Sequence, residues 1–176
     1  MKPHTFLIAG LLSLLIGCAT VPTGDIEVTT ETDPKVNLQG YKTYAWVGTA
    51  QLLNDPMGQW EPGKVDLDSE LRFLIDRELR GKKLTQTTNQ PDLLVGFVAG
   101  VDMSVLGIKK DPESRMMVLK NTPKGALVVL LIDSNTLYPV WVGSAVANVN
   151  QERSTEEMQK RLDYAVRSMF SEFAKE

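Results

Sequence analysis

The chain predicts an α+β fold, a single mixed, mostly antiparallel sheet of about five or six strands with two helices packed on one face. Three observations predict it. Two segments repeat apolar residues at three- and four-residue spacing, which is the mark of a helix with one buried face. Other segments alternate apolar with polar residues or run apolar between turn residues, as strands do. Finally, the apolar run Ala126–Ile132 meets a second run around Trp141 across Asp133-Ser134-Asn135-Thr136, so the pair forms an antiparallel hairpin.

The first residues precede that fold. Met1-Lys2-Pro3-His4 is a short basic start, and an apolar and small-residue stretch follows from Phe6 to Gly17. A membrane-spanning helix needs about 20 apolar residues, so the layout is that of a removable secretory signal. Leu15-Ile16-Gly17-Cys18 resembles the lipobox of bacterial lipoproteins, in which the cysteine is acylated and the chain is cut before it. The expectation is a signal at residues 1–17, a lipidated Cys18 with a short tether over 18–25, and one α+β domain over 26–176. Two or three acyl chains hold a protein stably, whereas one does so only reversibly. Ala19 replaces the aspartate that commonly signals inner-membrane retention. The resemblance therefore implies the cell envelope, at the periplasmic face of the outer membrane.

Each element follows in order. Ile26, Val28 and Thr30 alternate with Glu27, Thr29 and Glu31 as a half-buried strand. After Asp33-Pro34 and Gly40 comes a second strand, Thr43–Val47, and residues Thr49–Val65 read as a long loop. Asp66 or Asp68 caps a helix with Leu71, Leu74, Ile75 and Leu79 inward and Arg72, Asp76, Arg77 and Arg80 toward water, ending at Gly81. Leu93–Val101 is a long strand whose odd-numbered residues share a face. Lys109-Lys110-Asp111-Pro112 is a turn signal, and Met116–Leu119 a short strand. The hairpin follows, and then Ser154-Thr155-Glu156-Glu157 forms a capping box ahead of Met158, Leu162, Ala165, Val166, Met169, Phe170 and Phe173.

Composition excludes several chemistries. The only histidine is His4 and the only cysteine is Cys18, so the mature domain lacks the residues for Ser-His-Asp or Cys-His catalysis and for zinc, haem or iron–sulfur ligation. No cofactor is expected. A formal charge of −3 with no basic cluster argues against nucleic acid.

Three residues form the candidate interaction surface: Trp60, Glu61 and Asp66. A tryptophan stacks on sugar rings, and two carboxylates about 5–9.5 Å apart hydrolyse glycosides, so an enzyme acting on envelope carbohydrate is the alternative reading. Against it, Asp66 serves as a helix cap, Glu61 is solvated and Trp60 packs on the sheet. Asp102, a metal or proton-transfer candidate at a strand end, has no second acid near it in sequence, and a calcium site from Asp55, Asp66, Asp68 and Glu70 lacks the spacing of the calcium loop.

Five segments together resemble the domain of unknown function 4136, a family of bacterial envelope lipoproteins. They are Gly40-Tyr41-Lys42-Thr43-Tyr44-Ala45-Trp46, Asn54–Pro62, Pro91-Asp92-Leu93-Leu94-Val95, Pro123–Val129 and Val140-Trp141-Val142-Gly143. Pro139 departs from the pattern, just before the Trp141 strand. The resemblance implies an α+β lipoprotein domain and no catalytic residues. The expected function is a non-catalytic binding or scaffolding domain, membrane-anchored through its N-terminal lipid, with another envelope protein or a glycan as partner. A pocket for lipid or a small apolar ligand between sheet and helices is the third reading.

Overall fold

The computed structural model describes residues 21–59, 61, 65–104, 106–110, 117–121 and 123–173, with the side chains at 106–110 and 117–121 left undescribed. Among the described residues the strands and α-helices are β1 (Glu27–Thr32), β2 (Thr43–Asn54), α1 (Leu67–Gly81), β3 (Thr85–Gln86), β4 (Leu93–Asp102), β5 (Leu106–Lys110), β6 (Met117–Asn121), β7 (Lys124–Asp133), β8 (Pro139–Asn148) and α2 (Thr155–Ser171), with a short 3-10 helix at Leu38–Gly40. Six strands make one sheet in the order β1-β8-β7-β4-β2-β3, and β5 and β6 form a separate pair. β2 runs parallel to β4 and β3, while the other neighbours are antiparallel.

Period-two alternation decides which face is buried. Val95 and Phe97 of β4, Val129 and Leu131 of β7 and Trp141 of β8 turn one way and are fully enclosed. Leu71, Ile75 and Leu79 of α1 and Val166, Met169 and Phe170 of α2 close over them in one core. Both helices therefore sit on the same face. On the other face Val98, Val128, Leu130 and Val142 are only half-buried.

The motif segments act as stitches between strands. The Asp92 carboxylate accepts the N–H groups of Lys42 and Thr43 at 2.8 and 2.9 Å, and Asp92 N–H donates to Thr43 Oγ1 at 3.0 Å. These bonds fasten the start of β4 to the start of β2. The Tyr44 hydroxyl and Trp46 Nε1 both donate to Asp76 of α1, at 2.7 and 3.0 Å.

Four expectations need correction. β2 continues through Thr49–Asn54, ordered by its parallel ladder with Phe97–Asp102, so this stretch is not loop. Asp76 does not face water, since it is the acceptor for the two β2 aromatics. Gly81 stays helical, and Lys83 takes the left-handed conformation at φ 66°. Lys109 and Lys110 belong to β5, and the rest of that turn signal, Asp111-Pro112, lies outside the described residues. Where Pro139 departs from the motif, the β7–β8 register shifts between Leu131 and Ile132, which absorbs the missing N–H donor.

Candidate functional site

Side-chain size shrinks along the helix-facing rows of the sheet. In register, Val95, Leu131 and Trp141 give way to Ala99, Leu127 and Ala145, and then to Val101, Gly125 and Ala147. The helices do not follow the sheet inward to fill the space. What remains is a cavity of about 590 Å³ between this end of the sheet and the first turns of α1 and α2. Leu67 and Leu71 of α1 and Met158, Leu162 and Ala165 of α2 form its roof. Ligand pockets range over roughly 300–1,000 Å³ with mostly apolar walls and a few polar groups, and this cavity fits that description.

Its polar groups gather at one side. Arg161 stands among the apolar residues of α2 and is buried. Its Nη1 and Nη2 donate to Asp25 Oδ1 and Oδ2 at 2.8 and 2.7 Å, and Nη1 also donates to the Pro22 carbonyl. The Asp25 Oδ2 atom further accepts the Asn148 N–H at 3.0 Å. These bonds, led by the one from Arg161, hold the Asp25 carboxyl below the usual aspartate range against the opposing effect of burial. Arg153, just ahead of α2, donates Nη1 to the Asn148 carbonyl at 2.8 Å. Asn148 Oδ1 is buried and accepts no hydrogen bond. Gln151 Nε2 reaches the Gln59 carbonyl at 3.1 Å, which links the loop before α2 to the one before α1.

The candidates named from sequence divide. Cys18 and Trp60 lie outside the described residues. Glu61 is exposed, and Asp66 reaches the cavity rim. There Asp66 caps α1, accepting Ser69 Oγ at 2.7 Å and Ser69 N–H at 3.3 Å. Those bonds lower its carboxyl below the usual range, the opposite of what a general acid needs. The other candidate acids are engaged elsewhere. Asp68 accepts Thr49 Oγ1 at 2.6 Å and pairs with Arg72 at 2.8 Å. Asp102 holds Ser104 and Asn54. Among the described residues no cluster of His, Cys, Asp and Glu is gathered for a metal.

Arg153 and Arg161 were not among the sequence candidates. Arg161 left a signal: it stands three residues after Met158 and four before Ala165, inside the apolar stripe. A charge in a buried stripe demands a partner.

A family model described as Domain of unknown function (DUF4136) matches residues 28–173. No curated protein matches the chain. Among solved structures, a DUF4136 family protein from Bacteroides thetaiotaomicron overlays with a TM-score of 0.55 at 11% identity, over 84% of this chain and 95% of that one. A PDZ domain protein from Parabacteroides distasonis gives 0.49 at 16% identity over 86% of this chain, which spans only 36% of that protein. A lipoprotein from Neisseria meningitidis gives 0.39 at 12% identity, over 73% of this chain and 97% of that one. Of the three, the Bacteroides protein is similar enough to show a shared fold.

Proposed function

This chain belongs to the DUF4136 family, and from that premise we propose that it is a lipid-anchored, non-catalytic binding domain of the cell envelope. Its ligand is a small apolar or amphiphilic molecule held between sheet and helices. The cavity of about 590 Å³ carries this reading, because leaving an apolar space of that size unfilled forfeits packing contacts. The glycan-hydrolysing alternative has less support, since Asp66 is committed to the α1 cap in its ionised form.

The anchor in this proposal is Cys18, after a signal at residues 1–17, at the periplasmic face of the outer membrane. It is supported by the basic start, the short apolar run and the lipobox-like Leu15-Ile16-Gly17-Cys18. Among the described residues, no helix is long and apolar enough to cross a membrane. In cells given radiolabelled palmitate, Cys18→Ser should lose the label and keep its signal. A variant that is still labelled and trimmed removes the anchor from the proposal.

The cavity is tested with the full-length chain in nanodiscs of neutral lipid, using the uncharged fluorophore N-phenyl-1-naphthylamine. Binding should be saturable, and Ala145→Phe, which grows a ring from the cavity floor, should weaken it by about tenfold or more. Equal binding by the folded variant would show that the probe sits elsewhere.

A further inference from the structure

The cavity has a shape and a charge, and together these narrow the ligand. Its floor crosses β2 at Leu53, β4 at Val101, β7 at Gly125 and β8 at Ala147, which are in register, and ends at Ile26 just ahead of β1. Four interstrand steps of about 4.8 Å make a trough about 19 Å long. A trough of that length in a space of about 590 Å³ is narrow. Its proportions suit one extended hydrocarbon chain better than a compact ring system.

At the polar end of the trough, one of two neighbouring guanidinium ions is hydrogen-bonded to a carboxylate and the other is bonded only to a neutral carbonyl. Both Asp25 oxygens are taken by Arg161, and Oδ2 also accepts the Asn148 N–H. The Arg153 guanidinium donates to the neutral Asn148 carbonyl, and among the described residues no carboxylate pairs with it. The acids whose charge reaches it are Asp25 and Glu157, and Glu157 is occupied with the capping box at Ser154. The groups around Arg153 thus comprise two guanidinium ions, two carboxylates with other duties and the unpartnered acceptor Asn148 Oδ1. Burial, and then the nearby Arg161 charge, lower the pKa of the Arg153 guanidinium. An added anion there would favour the charged guanidinium and so offset both effects.

Building on the cavity reading, we infer that the trough takes the single acyl chain of an anionic amphiphile, with a carboxylate or phosphate head paired to Arg153. A guanidinium presents its N–H groups in a fork that matches either head. Each methylene moved out of water contributes about 0.8 kcal/mol, so the chain supplies the affinity and the arginine selects the head.

The test displaces N-phenyl-1-naphthylamine from the full-length chain in neutral nanodiscs with four dodecyl amphiphiles: dodecanoate, dodecyl phosphate, dodecanol and dodecyltrimethylammonium. Wild type and Arg153 variants share the same nanodiscs, so partitioning of the amphiphiles into lipid cancels between them. The two anions should displace the probe at concentrations about tenfold or more below dodecanol, and the cation should be weakest. Arg153→Gln should bring the anions to within about threefold of dodecanol, while Arg153→Lys keeps part of the preference. A large gap between dodecanoate and dodecyl phosphate would identify which head is bound. If dodecanol competes as well as the anions, or if Arg153→Gln keeps the preference, the anionic head is wrong while the cavity reading stands. If no dodecyl compound displaces a probe whose binding Ala145→Phe weakens, the acyl chain is wrong while the cavity reading stands; if Ala145→Phe leaves probe binding unchanged, the cavity reading fails with it.

Discussion

Alanine at Gly143 is expected to lower the stability of the fold by about 1–3 kcal/mol, the range of overpacking in a core that cannot yield. A Cβ at this position would lie 2.4 Å from Trp141 Cη2, 3.0 Å from Cζ2 and 3.0 Å from Met169 Sδ. The indole occupies the space that a side chain at 143 would need. It has little room to retreat, with the Phe170 ring 4.9 Å away and Phe173 at 5.8 Å, centroid to centroid. Trp141 itself is 1% exposed. Urea denaturation should show a lower midpoint with an unchanged slope. Because the cost arises from one contact, Trp141→Phe in the Gly143→Ala background should restore part of the loss, although Trp141→Phe alone is destabilising. Trp141 Nε1 is buried without a partner, so phenylalanine also removes an unsatisfied donor. Strict additivity of the two substitutions would show that the indole is not seated on Gly143.

Arg161→Leu should cost more, about 3–5 kcal/mol, because it strands a partly buried carboxylate. The pair is well enclosed, with side chains 7% exposed for Arg161 and 24% for Asp25, and the Pro22 carbonyl loses its donor as well. Asp25→Asn in the Arg161→Leu background should recover part of the loss by removing the stranded charge. The pH dependence has a defined sign. The hydrogen bond from Arg161 holds the folded carboxyl of Asp25 below its unfolded value. Its stabilisation is therefore complete above the ordinary aspartate range and is lost as pH falls through the lowered folded value. Urea midpoints between pH 7 and pH 3 should fall less steeply for Arg161→Leu than for wild type. Parallel curves would mean that the pair does not contribute.

What the sequence revealed depended on how local each signal is. The capping box at Ser154 and Glu157 and the inward stripe of α2 stood in the sequence as they stand in the structure, because caps and helical periodicity are settled within a few residues. The second half of β2 carried no comparable signal. Ala50-Gln51-Leu52-Leu53-Asn54 is mostly exposed, and only its ladder with β4, a segment far along the chain, makes it a strand. Asp76 looked solvated because its partners, Tyr44 and Trp46, lie on another element. The cavity was the least legible feature. Ala99, Gly125, Ala145 and Ala147 are unremarkable one at a time, and they leave a space only once register sets them side by side. A pocket between sheet and helices could be suggested from the amphipathic faces, but neither its end of the sheet nor Arg153 could. The motif segments around Tyr44 and Asp92 proved to be fastenings between strands, at a distance from the cavity lining.

The hold of Arg161 on Pro22 and Asp25 also has a mechanical meaning. A tensile load applied to the chain upstream of Val21 enters the domain at this clamp and passes into α2 before it reaches β1. β1 is an edge strand bonded on one side only, to β8. Pulled from its N-terminal end without the clamp, it would peel bond by bond, the mode in which a strand resists least. With the clamp in place, the force must first break two charge-assisted bonds and one to a carbonyl together, against a helix packed into the core. The domain would then bear a pull from upstream as one body, with β1 shielded from the strain.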